Sequence, residues 1–149
     1  MQLRDKKILV TGGAGFLGSH LCRRLLECGA KVVLLDNTVE RNAPNIKDFS
    51  EEVELFKGDI LDTGIVDRAA AGVDAIIHTA FPTAGCDRSP DRQYVASGTE
   101  GTFNTLKAAW KNGAVFIYAS SISVYGYQRY LPIDEKHPVQ PFLLYGATK

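Results

Sequence analysis

The sequence predicts an α/β fold, a doubly wound parallel sheet with its strands in the order 3-2-1-4-5. Short β-branched runs alternate with longer segments of helical period, the pattern of βαβ units and a parallel sheet. A glycine cluster joins the first run to the first helical segment. Right-handed crossovers then favour the doubly wound arrangement.

Each element has its own signal. Lys7 to Thr11 (KILVT) is a short apolar run closed by Gly12 and Gly13, and reads as a buried strand. From Phe16 the period changes: Leu17, Leu21 and Leu25 recur every four residues, and Arg23, Arg24 and Glu27 fall off that stripe. This is an amphipathic helix stopped by Gly29. Lys31 to Leu35 (KVVLL) is a second strand ending at Asp36, and the polar residues 37–51 read as a loop. Val53 to Phe56 is a third strand, followed by a helix over Asp62–Ala71 with Asp62 as its N-cap. Asp74 to Ala80 is a fourth strand and residues 82–90 a loop. Asp91 to Trp110 reads as one helix, with Val95, Thr99, Thr102, Phe103, Leu106 and Trp110 on one face and Asn112-Gly113 at its end. Val115 to Ser120 is a fifth strand. Residues 122–141 contain Gly126, Pro132, Pro138 and Pro141 and form a long loop, after which Leu143 begins a helical segment. No repeat or internal boundary interrupts the 149 residues, so they read as one domain.

Composition narrows the function. Lys and Arg total 17 and balance 17 Asp and Glu, so there is no basic excess for nucleic acid or an anionic membrane. A 45% hydrophobic share excludes a disordered chain. No apolar run is long enough to span a bilayer. The start, MQLRDKKILV, lacks the apolar stretch and cleavage site of a secretory signal, and the expected location is the cytoplasm. Cys22, Cys28 and Cys86 have no metal-ligand spacing and read as reduced thiols. His20, His78 and His137 are scattered, so no metal site is expected; His78 reads as a buried, hydrogen-bonded strand histidine.

Thr11 to Gly18 (TGGAGFLG) carries two overlapping glycine patterns. Gly13, Gly15 and Gly18 form G-x-G-x-x-G; Gly12, Gly15 and Gly18 form G-x-x-G-x-x-G. Either alone is weak, and a turn that only packs strand on helix would show the same letters. The context adds weight: the loop follows a strand, opens a helix, and precedes Asp36, an acid 18 residues beyond Gly18 at the end of the second strand. Glycine lets backbone approach a pyrophosphate, and a helix N-terminus offers free N–H groups and a positive dipole end. Asp36 suits the two hydroxyls of an adenosine ribose and repels a 2′-phosphate, which favours NAD over NADP. Arg41, close by in sequence, is the residue that would soften that preference.

Tyr145 and Lys149 form Y-x-x-x-K. On a helix this spacing puts both on one face. A tyrosine is a poor base at neutral pH, and a neighbouring ammonium favours its phenolate. The pattern is common by chance, but Ser120 and Ser121 end the fifth strand, and strand carboxyl ends line the ligand crevice of open α/β sheets.

TGGAGFLG, LLDN (34–37), GDI (58–60), HTA (78–80), GTFN (101–104), SSISVYG (120–126) and YGATK (145–149) occur in this order. Together they resemble the extended short-chain dehydrogenases/reductases, in the NAD-dependent epimerase/dehydratase branch, and most resemble UDP-glucose 4-epimerase-like nucleotide-sugar enzymes. The resemblance covers the whole chain. It implies a Rossmann-like fold in which Gly12, Gly15, Phe16, Leu17 and Gly18 hold the NAD pyrophosphate. It places Asp36 and Asn37 at the adenosine ribose, Asp59 and Ile60 at the adenine, and Thr79, Ala80 and Phe81 beneath the nicotinamide-side ribose. Ser121 matches the catalytic Ser/Thr, Tyr145 the base, and Lys149 the lysine that binds ribose and stabilises the phenolate. The implied reaction begins with oxidation of a sugar at C4, on a UDP- or dTDP-sugar. Relatives continue for roughly another domain's length, so residues 1–149 are expected to be the NAD-binding domain without the last strands and the C-terminal substrate domain, and inactive alone. A homodimer is implied for a full-length form, through the helix holding residues 92–110 and the Tyr145 helix, which leaves an exposed apolar face here.

Departures sharpen the branch. Sugar 4,6-dehydratases carry Asp and Glu after the catalytic Thr, and decarboxylases usually carry Glu at the second of those places; this chain has Ile122 and Ser123. Elimination without a placed acid lacks its proton carrier, which favours an epimerase or a simple reductase. Gly98 stands where the family usually has Asn, and the usual HxAA-like stretch ends here in Phe81. A non-catalytic NAD-binding module is the alternative from another functional class.

Overall fold

The computed structural model of the chain describes residues 3–82 and 91–149. Its five strands form one parallel sheet in the order β3-β2-β1-β4-β5: β1 Lys7–Thr11, β2 Lys31–Asp36, β3 Glu54–Lys57, β4 Ala75–His78 and β5 Val115–Tyr118. This is the predicted order. Residues 83–90 of the expected loop, Cys86 among them, lie outside the described residues.

Alternation along the strands builds two cores. Ile8, Val10, Val32 and Leu34 face α1 (Phe16–Glu27) with Cys22 and Leu25. Leu9, Val33, Leu35 and Ile76 face the other way, onto Ile65, Val66 and Ala69 of α2 (Thr63–Ala69) and Ala108 and Ala109 of α4 (Thr102–Asn112). Both faces of the central strands are therefore covered, as a parallel sheet requires. Asp62 caps α2 by accepting the N–H groups of Gly64 and Ile65 at 2.8 and 3.2 Å. Gly29 closes α1 with φ +79°, a backbone angle at which other residues are strained.

Three details differ from the sequence reading. The loop over 37–51 is more than a polar connection: it buries Val39, Ile46 and Phe49 against the α1 side of the core. It is also clamped to α1 by Arg23, which donates from Nε to Asp48 Oδ2 and from Nη2 to Asp48 Oδ1. The helix expected over Asp91–Trp110 is three pieces: α3 (Asp91–Val95), a π-helical stretch Ala96–Gly101, then α4. Gly98 and Gly101 weaken α-helix propensity here, and each packs where a side chain would collide, against Thr148 and Ile60. Finally, the apolar stripe of this segment faces outward. Phe103 is 61% and Trp110 80% exposed, while Ser97, Gly98, Gly101, Asn104, Thr105, Ala108 and Ala109 are the buried residues. Small residues let the helix lie close to the sheet, and the large apolar ones are left for another surface.

Candidate active site

Strand register gathers the candidate residues at one edge of the sheet. Thr11 pairs with Leu35 and with His78, Asp36 with Lys57, and His78 with Tyr118. The segments leaving β1 to β5 therefore start level with one another, at the carboxyl ends.

The glycine loop leaves β1 here, and its glycines differ in role. Gly12 has φ +68°, and a Cβ there would lie 2.7 Å from the Ala80 backbone. A Cβ on Gly18 would lie 2.1 Å from the Gly12 carbonyl oxygen, and one on Gly13 would strike Leu34. At all three a side chain would collide with the fold itself. Among the described residues a Cβ on Gly15 would meet only the Gly12 oxygen, at 3.2 Å, so its outer side is open to a ligand. The Gly12, Gly15, Gly18 pattern is thus the one that matches the turn, approach and packing roles. Gly15 is the N-cap of α1, and among the described residues no side chain caps that end. The first i→i−4 bond is Ser19 N–H to Gly15 O, which leaves the N–H groups of Phe16, Leu17 and Gly18 directed out of the helix end. Phe16 and Leu17 are exposed beside it.

Asp36 ends β2 and faces this loop. Its Oδ2 accepts the Ala14 N–H at 3.1 Å, and its Oδ1 accepts from the Thr38 N–H and hydroxyl at 3.0 and 2.9 Å. Asn37 beside it is exposed. Asn45 reaches across to donate to Ala14 O at 2.9 Å, so both ends of Ala14 are held. Spacing gave no signal for Thr38 or Asn45. Arg41 is turned away from Asp36, donating to Ser50 O and pairing with Glu51 at 3.4 Å.

Beyond β3, Asp59 accepts the Leu61 N–H at 3.0 Å, and Ile60 is buried against Gly101. Asn104 of the GTFN stretch donates to Ile60 O at 3.1 Å, a role its place in the motif hinted at but did not specify. At the end of β4, Thr79 Oγ1 donates to Thr11 O at 2.7 Å and Ala80 N–H to Thr11 Oγ1 at 3.3 Å. His78 is buried, with Nδ1 2.7 Å from Thr11 Oγ1 and Nε2 3.2 Å from Thr102 Oγ1. Burial, aided by the Lys149 ammonium, pushes it down to about 4.

Tyr145 lies on α5 (Leu144–Ala147). Lys149 is past the end of that helix, in a tighter turn whose N–H bonds Gly146 O at 3.2 Å, so the pair does not share a regular helix face. Its ammonium nevertheless sits 6.0 Å from the Tyr145 ring centre and donates to Ala119 O at 3.0 Å. Burial lowers its pKa. Phe81 meets the Tyr145 ring edge-on at 5.0 Å. Ser121 opens a 3-10 turn (Ile122–Val124) and accepts the Ser123 N–H at 3.2 Å. That turn abuts α5, since a Cβ on Gly146 would lie 2.3 Å from Ser123 O. Among the described residues no hydrogen bond joins Ser121 to Tyr145. The arrangement offers an anion-binding helix end, an acid at its margin, and a phenol beside a half-buried ammonium.

Residues 8–149 match the NAD dependent epimerase/dehydratase family. UDP-glucose 4-epimerase of Bacillus subtilis is 35% identical over 150 aligned residues, covering 95% of this chain and 44% of that protein. A solved UDP-galactose 4-epimerase superposes with a TM-score of 0.81 at 34% identity, over 96% of this chain and 48% of its own. The Bordetella bronchiseptica enzyme WbmG, solved with NAD and UDP, gives a TM-score of 0.83 at 28% identity, over 97% of this chain and 46% of its own. The chain thus spans less than half the length of each of these relatives.

Proposed function

The chain belongs to the NAD-dependent epimerase/dehydratase family, and from that premise we propose that it is the NAD-binding portion of a nucleotide-sugar epimerase-like oxidoreductase. The observation that carries this reading is the placement of the glycine loop, Asp36 and the Tyr145–Lys149 pair at one edge of one sheet. The fit to NAD rests on Gly15, whose outer side is open, and on the uncapped end of α1. WbmG, a relative solved with NAD and UDP, supports the same assignment.

Phe16, Leu17 and Gly18 would hold the pyrophosphate through backbone N–H groups, and Gly12 and Gly15, whose own N–H groups bond Leu35 O and Gly12 O, would let the loop backbone come close to it. Asp36 and Asn37 would take the adenosine ribose, and Asp59 and Ile60 the adenine. A carboxylate offers about four acceptor positions, and Asp36 already uses three. Accepting both ribose hydroxyls therefore requires the Thr38 hydroxyl to turn away. Thr79, Ala80 and Phe81 would lie under the nicotinamide-side ribose. Bound NAD supplies the acceptor, and later the donor, of a hydride at the sugar C4. Tyr145, as the phenolate that the neighbouring Lys149 ammonium favours, would take the C4 hydroxyl proton and end the step as the neutral phenol. Ser121 orients the sugar hydroxyl once its Oγ is released from Ser123 N–H. Ile122 and Ser123 bring no carboxylate, which favours epimerisation or reduction over water elimination.

The partners follow from the same reading: a UDP- or dTDP-sugar, and a second copy of the chain seated on the exposed Phe103, Leu106 and Trp110 face. No helix among the described residues is long and apolar enough to cross a membrane, and free Cys22 and Cys28 suit the reducing cytoplasm. The test extends the chain with its native continuation, loads it with NAD, and follows the absorbance of reduced nicotinamide after UDP-glucose or UDP-galactose is added. A signal lost in Tyr145→Phe is the expected result. A signal that survives the substitution overturns the role of Tyr145, and NAD binding with no reduction by any nucleotide sugar favours the non-catalytic module.

A further inference from the structure

Three aromatic rings surround one ammonium where β4 and β5 meet α5. Lys149 Nζ lies 4.6 Å from the Phe81 ring centre, 5.0 Å from that of Tyr118 and 6.0 Å from that of Tyr145. Its one hydrogen-bond acceptor among the described residues is Ala119 O, at 3.0 Å. No carboxylate side chain pairs with it among the described residues. An ammonium has three donors, so the carbonyl satisfies one and the ring faces stand against the rest. Phe81 is the nearest ring and is itself fixed on two sides. It stacks on Tyr94 at 5.3 Å and meets the edge of Tyr145 at 5.0 Å.

We propose that Phe81 is a positioning residue for Lys149: its ring face holds the ammonium beside Tyr145 before any ligand arrives. The functional weight of this rests on Tyr145 and Lys149 being the proton-handling pair. The physics is a cation–π contact at a partly desolvated site, where such contacts are strongest. Water would otherwise solvate the amine and let the long side chain swing free. A small residue at 81 would leave that face of the ammonium to solvent, and an aliphatic one would keep the bulk but lose the ring quadrupole. Among the described residues, the titratable groups around Lys149 are Tyr118 of β5, Tyr145 of α5 and His78 of β4.

The test compares Phe81→Leu with Phe81→Trp in the 149-residue chain, free of cofactor, by following the Lys149 side chain through its NMR titration. Loss of the ring face disfavours the charged amine, so Phe81→Leu should lower the titration midpoint by about half a pH unit. Phe81→Trp should keep it at or above that of the unsubstituted chain. An unmoved midpoint in Phe81→Leu, or an equal fall in both variants, overturns the proposal. Should Phe81→Leu fail to fold, the unsubstituted chain still decides. Its Lys149 ε-methylene protons must be shifted upfield by ring current and show cross-relaxation to the Phe81 ring, and their absence overturns the contact. Because neither cofactor nor sugar is present, an extended chain that never reduces NAD would sink the proposed activity and leave this midpoint difference standing.

Discussion

On β1 and β2, Leu9, Val10, Leu34 and Leu35 are sealed from solvent, whereas on β5 Val115 and Ile117 are 53% and 48% exposed. The first flank is held by apolar packing on both faces, reinforced by the 37–51 loop that inserts Val39, Ile46 and Phe49. The second is held by a few directed contacts: Tyr118 Oη to Thr148 O at 3.2 Å, Lys149 Nζ to Ala119 O at 3.0 Å, and Ser120 Oγ to Lys149 O at 3.4 Å. The glycine loop inherits the rigidity of a packed core. The Tyr145 side depends on polar and aromatic contacts that fix position more than they add stability. Damage on the two flanks should therefore be read by different instruments.

The largest effect belongs to the core. Leu34→Ala empties a fully buried site between β1 and β3 and should cost about 2–5 kcal/mol in urea unfolding. A loss comparable to that of a surface change would mean the first flank is not the anchor. Next is pH. His78 titrates at about 4 in the fold against an ordinary 6.5. Between those values the unfolded chain binds a proton that the folded chain refuses, so stability falls as pH drops through that window. The full fall is about 3 kcal/mol. Unfolding midpoints at neutral and acidic pH check this, and a His78 ring that titrates near 6.5 in the folded chain contradicts it.

Gly15→Val separates binding from folding on the packed flank. It should weaken NAD at least ~100-fold with little change in the far-UV spectrum, whereas Gly18→Val should lose both, because its Cβ would strike the Gly12 carbonyl. Asp36→Ala removes the Ala14 clamp and the charge that repels a 2′-phosphate, so calorimetry should show NAD weakened by about tenfold and its preference over NADP reduced. Smallest of all, Ile117→Thr on β5 should change stability by no more than about 0.5 kcal/mol, a clean contrast with Leu34.

These contrasts also mark what the sequence made legible. Strand order was readable because alternation of runs and helices leaves few right-handed arrangements, and Asp36 because it sits at a strand end in register with the glycines. The direction of the Phe103, Leu106 and Trp110 stripe was not readable. Periodicity shows that residues share a face, not whether that face meets the sheet, and here Gly98, Gly101, Ala108 and Ala109 won that side by letting backbones approach. Asn45 and Thr38 escaped notice because their partners are a backbone carbonyl and a carboxylate brought close only by folding. The ring cluster at Phe81 escaped for the same reason: Tyr94, Tyr118 and Tyr145 come from three separate elements.

Gly98 ties two distant parts of the chain into a single site of variation. A Cβ at 98 would lie 2.6 Å from Thr148 Cβ, next to Lys149, so neither position can change volume without the other answering. A lineage that acquired a larger residue at 98 would have to shrink 148 in the same period or move its lysine. Gly98→Ala should therefore disturb Lys149 through Thr148, and Thr148→Ala in the same chain should relieve it.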